Sequence, residues 1–362
     1  MYLSVLSTLS IVWKNSWSII VAILFFGVVI MVHELGHFIF AKIFDVKVNE
    51  FALGMGPTIF KRQKGETKYA IRLFPIGGFV NMEGEEEASD DERSFTKKPV
   101  WQRFIIVAVG AIINIILGLV LVAIILMQTD LIGTPYIKGF YKDATTNQQG
   151  LMAGDKIVEI NENIVYSEYD ISFLMMRDKD GVIDFTVERK GEKVELKNIA
   201  FKTKTVDGQH FIIYDFYIKG VKPSFFSVTK NAFLETASMG RMVWLSLFDL
   251  VTGQYKLSDL SGPIGVVDYI ADTAQHSVTD KGIDFTPVLT LMALITINIG
   301  IFNLLPIPAL DGGRLFFMII EMVRRKPVPQ KYESFVHAVG LILLFIFMAV
   351  VSLHDILNLI KR

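Results

Sequence analysis

The chain has 362 residues, of which 52% are hydrophobic and 20% are charged, and its formal net charge is −1. A chain this apolar is typical of a membrane protein and atypical of a soluble domain of the same length. The near-zero charge excludes the basic field that gathers nucleic acid, and the absence of cysteine excludes disulfides and thiolate metal sites. Any metal must therefore be held by histidine and carboxylate.

Four segments approach or exceed the roughly 20 apolar residues that span a bilayer. They lie at 17–32, 104–129, 285–310 and 335–353, and the only ionisable residue in the last is His337. The first is not expected to be a cleaved signal, because no small-residue cleavage site follows it. We predict a polytopic α-helical protein of the cell membrane, the inner membrane where there are two, with about four transmembrane helices.

Orientation follows from the short connections, which carry most of the lysine and arginine. The positive-inside rule therefore predicts that the loops after the first and third spans are cytoplasmic. Both termini and the large insertion at 130–284 then lie outside the cytoplasm. The first and third spans run in parallel, so residues at their ends are expected to meet near the cytoplasmic face.

The regions between the spans differ in pattern. Strand-like runs at 51–60 and 68–80, punctuated by glycine, predict a membrane-associated β-hairpin or sheet, and the acidic run at 83–92 reads as a solvated loop. In the outer insertion, strands at 156–160, 182–188 and 193–199 and a helix at 168–177 predict a small α+β domain. Segment 225–251 reads as an amphipathic element at the outer membrane face.

A His-Glu-x-x-His pattern, HELGH, ends the first apolar stretch. About 400° of helical rotation separates His33 from His37, so both imidazoles share one face and can reach one zinc ion. Glu34 can then take a proton from a water molecule whose acidity the metal raises. Three ionisable residues at membrane depth need a compensating partner, which zinc would supply. The alternative is a helix end that rests among lipid headgroups.

A two-histidine zinc site needs a third protein ligand, and the best candidate is Asp311. It lies near the end of the run NLLPIPALDGG. In this run Pro306 and Pro308 break the helix, while Gly312 and Gly313 allow close approach and unusual dihedral angles. The alternative is a proline-kinked helix that ends in a capped turn.

These two motifs together resemble the site-2 protease family of intramembrane zinc proteases. PIGGFV at 75–80, FTKKPVWQRFIIVAVGAIIN at 95–114 and SGPIG at 261–265 resemble its bacterial RseP-like branch. The resemblance covers about 17–355 and implies that His33, His37 and Asp311 are zinc ligands and Glu34 is the general base. It further implies that Asn303 holds the substrate backbone, with Asn298 as a second contributor. Family members commonly have Gly-Pro where this chain has Gly110-Ala111.

The outer segment GLMAGDKIVEINENIV at 150–165 resembles a PDZ domain, although such sequences usually have glycine where Glu162 stands; Asn163 beside it can adopt a tight turn. Many family members carry two such domains, and one is recognisable here. The resemblance implies either a size filter or a peptide receptor, and a purely structural cap is the alternative. The expected organisation is 1–129 for the first membrane half, 134–204 for the PDZ-like domain, 205–284 for a juxtamembrane segment and 285–362 for the second membrane half.

The expected function is hydrolysis of peptide bonds within or near transmembrane segments. Expected partners are the lipid bilayer and single-pass membrane proteins or signal-peptide remnants, with no nucleic acid. Two other classes remain. An ion transporter would need further ionisable residues in its spans and internal repeats, and a catalytically silent PDZ-bearing scaffold would have a damaged ligand or base position.

Overall fold

The computed structural model describes residues 2–85, 89–178, 180–206, 209–254, 260–279 and 282–361. They form two compact units, one from residues up to 118 together with those from 250 onward, and the other from residues 119–249. The helices of these described residues are α1 (Tyr2–Ile43), α2 (Val100–Gln128), α3 (Glu168–Arg177), α4 (Phe225–Val251), α5 (Pro263–His276), α6 (Thr286–Leu304), α7 (Asp311–Arg324) and α8 (Gln330–Lys361).

The strands divide between the two units. The first unit contains β1 (Val48–Lys64), β2 (Thr67–Met82), β11 (Val278–Thr279) and β12 (Gly282–Ile283). The second contains β3 (Ile132–Phe140), β4 (Lys156–Ile160), β5 (Asn163–Ile164), β6 (Val182–Arg189), β7 (Glu192–Ala200), β8 (Thr203–Val206), β9 (Gln209–Ile212) and β10 (Phe216–Val221).

Among the described residues, four helices are long and apolar enough to cross a membrane, in agreement with the predicted number. Their apolar stretches are Ile20–Ile43 in α1, Val100–Gln128, Thr286–Leu304 and Gln330–Leu357 in α8. The first continues well past the predicted end at residue 32, because the HELGH segment has no proline and remains helical. The third ends before the predicted limit of 310, since Pro306 and Pro308 cannot continue a helix.

The hairpin of β1 and β2 contains both predicted strand runs, 51–60 and 68–80. Its register runs from Val48 opposite Met82 to Lys64 opposite Thr67. The end nearest the helices is buried in a core with Ala41 of α1 and Ile106 of α2. Apolar side chains farther along the hairpin are exposed, namely Met55, Ile59, Phe60, Ile71, Leu73 and Phe74.

Helix α5 packs against α1 and receives its N-terminal cap from α8. Ile270 of α5 is buried with Ala22, Phe25 and Val29 of α1. The carboxylate of Asp355 accepts hydrogen bonds from the backbone N–H groups of Gly262, at 3.3 Å, and Gly265, at 2.9 Å. Among the described residues near the start of α5, no side chain caps the helix. A residue about ninety positions away accepts hydrogen bonds from its first N–H groups instead.

The second unit is built on a six-stranded sheet. Its order is β10-β3-β4-β6-β7, with β5 paired to β4. The predicted strands at 156–160, 182–188 and 193–199 and the predicted helix at 168–177 all form. The sheet continues beyond residue 204, because Phe216 of β10 pairs with Phe140 of β3. The left-handed residues of the β4–β5 turn are Asn161 and Glu162, whereas Asn163, for which we expected the turn, begins β5.

Helix α4 attaches to this unit through polar contacts. Asp170, which is fully buried, accepts hydrogen bonds from Ser238 and Arg241 of α4 at 2.7 and 2.5 Å. The guanidinium of Arg177 forms a two-point ion pair with the carboxylate of Asp249. Helix α4 also exposes the aromatic residues Phe226, Phe233, Trp244 and Phe248. Its predicted position at a membrane surface stays a prediction.

Candidate metal centre

His33 and His37 lie one helical turn apart on α1, inside the stretch long enough to span a membrane. Their Nε2 atoms are 3.2 Å apart, and the two rings meet edge to face with centroids 4.8 Å apart. The two imidazoles therefore lie together on one face of α1, and their role as zinc ligands stays a prediction. His37 is buried and His33 is partly buried, so the pair is largely withdrawn from solvent.

Asp311, the first residue of α7, brings a carboxylate oxygen to the same point. Its Oδ2 lies 3.1 Å from Nε2 of His33 and 3.3 Å from Nε2 of His37. Helix α6 ends at Leu304, and the loop through the two prolines carries the chain to Asp311. The loop contains a left-handed residue, but it is Ala309, with φ of 77°, and neither Gly312 nor Gly313. Those glycines instead allow close approach, because a Cβ on Gly312 would overlap the carbonyl of Leu305.

This donor set fits zinc. Ligand atoms about 2.0–2.2 Å from a tetrahedral zinc ion stand about 3.3 Å from one another, which is close to the spacing of the two imidazole nitrogens and the carboxylate oxygen. Asp311 Oδ2 is buried and has no hydrogen-bond partner among the described residues. Lone pairs that face each other at such distances repel unless a positive charge lies between them.

The outer nitrogens of both rings contact α2. Nδ1–H of His37 donates to the backbone carbonyl of Ile106 at 2.7 Å, which leaves the lone pair on Nε2. Nδ1 of His33 lies 3.4 Å from the side-chain amide of Asn114, which is fully buried. Rotating that amide by 180° places its oxygen, which has no hydrogen-bond partner among the described residues, opposite Nδ1–H of His33. Both imidazoles are then held in the tautomer that a metal requires.

Helices α1 and α2 meet backbone to backbone beside the two histidines. A Cβ on Gly36 would lie 3.1 Å from the carbonyl oxygen of Val109 and 3.2 Å from Cα of Gly110. A Cβ on Gly110 would overlap the ring of His37 and approach Cε1 of His33 to 3.0 Å. Small residues at a crossing of membrane helices permit this closeness. Ala111, the next residue of α2, is fully buried.

Glu34 faces a cavity of about 1150 Å³ that also contains the three converging donors. The wall opposite α1 is formed by the end of β2, from Gly78 to Met82. Gly78 packs on Glu34 so closely that an added Cβ would lie 3.1 Å from its Cγ. The cavity therefore combines a carboxylate, a potential metal site and the end of a β-strand.

The two predicted substrate-binding residues, Asn298 and Asn303, lie on α6, away from the residues that line this cavity. Neither Asn303 nor Asn298 is among the described residues that line this cavity. Both are partly buried, and the side-chain oxygen of Asn298 is buried without a hydrogen-bond partner in the described part of the chain. Their proposed contact with substrate remains a prediction.

Sequence reasoning missed several residues of the cavity wall. Arg314 of α7 forms an ion pair with Glu85, which follows the hairpin. His337 of α8 also lines the cavity, and its sole sequence signal was that it is ionisable within an otherwise uncharged span. Asn114 and the carbonyl of Ile106 carried no signal at all, because their roles arise from contacts across more than sixty residues.

The sequence profile of peptidase family M50 matches residues 21–347 of this chain. The chain belongs to this family. A protein from Clostridium acetobutylicum whose name places it among the zinc metalloproteases is 38% identical over 347 residues, covering 94% of this chain and 97% of the relative. The zinc metalloprotease RasP of Geobacillus kaustophilus is 30% identical and the regulator of sigma-W protease RasP of Bacillus subtilis is 29% identical. These alignments cover 94% of this chain and 97% and 99% of the relatives.

Membership of family M50 makes this chain a membrane zinc metalloprotease of the site-2 protease type. The four long apolar helices among the described residues fit a membrane protein. Among its described residues, His33, His37 and Asp311 form the only cluster of three or more possible metal ligands.

Proposed function

We propose that His33, His37 and Asp311 hold the zinc ion and that Glu34 is the general base. The observation that carries this assignment is the convergence of the two Nε2 atoms and the carboxylate oxygen, with all ligand atoms within 4.8 Å of one another. Two histidines and one carboxylate leave a fourth position free, as in other catalytic zinc sites. The adjacent cavity gives a peptide access to that position.

Zinc bound here would polarise the scissile carbonyl and increase the acidity of water. Glu34 takes the proton from the attacking water and delivers it to the departing amine nitrogen. Gly78 packs against the Glu34 side chain, and Glu34 lines the same cavity as the three proposed ligands. The β2 segment from Gly78 to Met82 lines the cavity and pairs with β1 along one edge. Among the described residues its other edge has no neighbouring strand, so that edge can offer backbone hydrogen-bonding groups to a substrate.

The proposed substrates are membrane-spanning segments of single-pass proteins or signal-peptide remnants. A peptide bond inside a helix is protected because its carbonyl is already hydrogen-bonded, so the enzyme must hold the segment in an extended form. The β2 residues along the cavity can add such a segment as a further strand. The exposed apolar side chains of the hairpin suit an environment of acyl chains. In this scheme Asn303, with Asn298, remains a proposed contact to the substrate backbone.

We further propose that the second unit is a PDZ-like domain outside the cytoplasm that limits the size of entering substrates. Its α+β composition and its antiparallel sheet support this reading. The catalytic site would then lie near the cytoplasmic face of the membrane. The sheet requires β10, so the domain to be tested extends to Val221 and not to residue 204.

The test uses the purified protein in lipid vesicles with a single-span model substrate. His33→Ala, His37→Ala and Asp311→Ala should each lower zinc content by elemental analysis and abolish cleavage. Gly27→Ala serves as the control, since a Cβ at this position of α1 meets no other group within 4 Å. Tight zinc binding by Asp311→Ala would remove Asp311 from the ligand set.

Two further measurements test orientation and gating. In intact cells, cysteines at positions 90 and 328 should be protected from impermeant thiol reagents while one at 193 reacts; labelling at 90 would overturn the orientation.

Replacing 134–221 by a Gly/Ser linker should leave zinc bound and permit cleavage of substrates with larger outer domains. If short substrates are then cut poorly, the domain is a docking element and not a size filter.

A further inference from the structure

His337 is the only ionisable residue in the apolar stretch 335–353 of the last span, and the proposed reaction does not use it. An ionisable side chain at this depth in a membrane is costly and usually has a specific partner. Here the partner is the loop that delivers Asp311. The backbone N–H of Ala309 donates a hydrogen bond to Nδ1 of His337 at 3.1 Å, and this bond joins α8 to a position two residues before the carboxylate.

Ala309 is the point of the loop where the backbone is strained. Its φ of 77° lies in the left-handed region, which is unfavourable for a residue with a Cβ. Such a conformation persists only when the surroundings impose it. The hydrogen bond to His337 is a direct restraint on this residue, because it fixes the direction of the strained peptide's N–H.

The packing around His337 is tight. Gly313, in the first turn of α7, approaches the imidazole so closely that an added Cβ would lie 3.0 Å from Cε1. One turn farther along α8, a Cβ on Gly340 would overlap Pro308. The ring of Phe317 lies 6.0 Å from the imidazole, centroid to centroid. The last span therefore packs against Pro308, before Asp311, and against Gly313, after it.

The hydrogen bond also fixes the tautomer of His337. Nδ1 accepts from a backbone N–H, so the ring proton is on Nε2. Nε2 is buried and has no partner among the described residues, so within that part of the chain the Ala309 contact is the one hydrogen bond that orients the imidazole. This arrangement differs from that of a zinc ligand, whose nitrogen lone pair faces the metal.

We propose that His337 is a positioning residue, which holds Ala309 in its left-handed conformation and so keeps the Asp311 carboxylate against His33 and His37. This inference rests on the proposed function, because it assumes that Asp311 is a zinc ligand. Groups that orient metal ligands typically change metal affinity by about 10- to 100-fold when they are removed. His337 does this through the backbone, because its hydrogen bond is to Ala309 and not to a proposed metal ligand.

The test compares three substitutions in the full-length protein. His337→Leu removes the acceptor and should weaken zinc binding by roughly 10- to 100-fold, measured by competition with a chelator. His337→Asn places an oxygen near the position of Nδ1 and should restore most of the affinity. Phe335→Leu changes an exposed residue of the same helix and should leave zinc affinity unchanged. The visible spectrum of the cobalt-substituted protein should change in His337→Leu and return toward the original in His337→Asn.

Equal affinity in His337→Leu and the unsubstituted protein would overturn the inference, as would an equal loss in the leucine and asparagine variants. If the leucine variant does not fold, His337→Gln replaces it, since glutamine cannot place its oxygen at the Nδ1 position, and the same loss is expected. Asp311→Ala is measured in parallel. Tight zinc binding by Asp311→Ala would overturn the ligand assignment and this inference together, whereas zinc loss there with full affinity in His337→Leu would overturn the inference alone.

Discussion

Nε2 of His33 lies 3.2 Å from Nε2 of His37, and Gly110 of the neighbouring helix lies directly against both rings. The inward rotation of the imidazoles depends on the missing side chain at Gly110. Nδ1–H of His37 is bonded to the carbonyl of Ile106, one helical turn before that glycine. Helix α2 thus shapes the metal site although none of its side chains is a proposed ligand.

Gly110→Ala should therefore impair zinc binding. The added Cβ overlaps the His37 ring, and forcing an extra carbon into a packed site costs about 1–3 kcal/mol. We expect zinc affinity to fall roughly tenfold or more, measured by chelator competition. Alanine has a higher helix propensity than glycine by about 1 kcal/mol, so the helix itself is not weakened. Gly27→Ala is the matched control and should keep full affinity, and unchanged affinity in Gly110→Ala would contradict the fit described here.

Glu34→Gln should separate metal binding from catalysis. The amide preserves the shape of the side chain but cannot take up a proton, so zinc content should remain at one ion per chain while cleavage falls by about 10²- to 10⁴-fold. Elemental analysis and cleavage of a single-span substrate measure the two effects. Full proteolysis by the zinc-loaded variant would remove Glu34 from its proposed role.

Asn114→Leu should weaken zinc binding without removing a ligand. Leucine fills a similar volume but offers no acceptor to Nδ1–H of His33, so the imidazole loses its fixed tautomer, and a loss of roughly 10- to 100-fold in affinity is expected. Asn114→Asp retains an acceptor and should lose less. Thr296→Val is the control, because this threonine is equally buried and its hydroxyl has no hydrogen-bond partner among the described residues. A loss of equal size in that control would point to general destabilisation.

Glu235→Gln should stabilise the second unit at neutral and higher pH. Burial, and secondarily the charge of Glu168, raise the pKa of Glu235 from 4.5 to about 7. The folded state then binds more protons than the unfolded state between those two values, so stability falls as pH rises through this window. Above pH 7 the ionised Glu235 carboxylate lowers the free energy of unfolding by about 3 kcal/mol. Thermal unfolding should show a gain for Glu235→Gln at pH 8 and little difference at pH 4.5, with the exposed Glu195→Gln unchanged at both.

Asp355→Ala should lower stability through the start of α5. The substitution leaves the backbone N–H groups of Gly262 and Gly265 without their acceptor, and loss of such a cap costs about 1 kcal/mol. Asp355→Asn retains one oxygen and should recover part of the loss. Thermal unfolding of the purified protein measures both variants; zinc content should remain complete, since Asp355 lies outside the metal cavity.

The sequence alone predicted the features that depend on interactions between residues close together in the chain. The rotation of a helix places His33 and His37 on one face, whatever surrounds them. Proline has no backbone N–H to donate, and its ring clashes with the preceding helical turn. Pro306 and Pro308 therefore end the helix after Leu304 and place Asp311 beyond the break. The strands at 156–160 and 182–188 and the helix at 168–177 follow from alternation and capping over a few residues.

Tertiary structure decided the features that depend on two distant segments meeting. The sequence around Gly110 does not indicate that a side chain here would clash with His33 and His37. The clash arises only because α2 packs against α1. The cap on α5 comes from Asp355, and the restraint on Ala309 comes from His337. Each is a contact between segments far apart in the chain, whose pairing is set by the packing of whole helices. The sequence determined which groups can bind a metal, whereas the packing of α1, α2, α7 and α8 determined which atoms hold those groups in place.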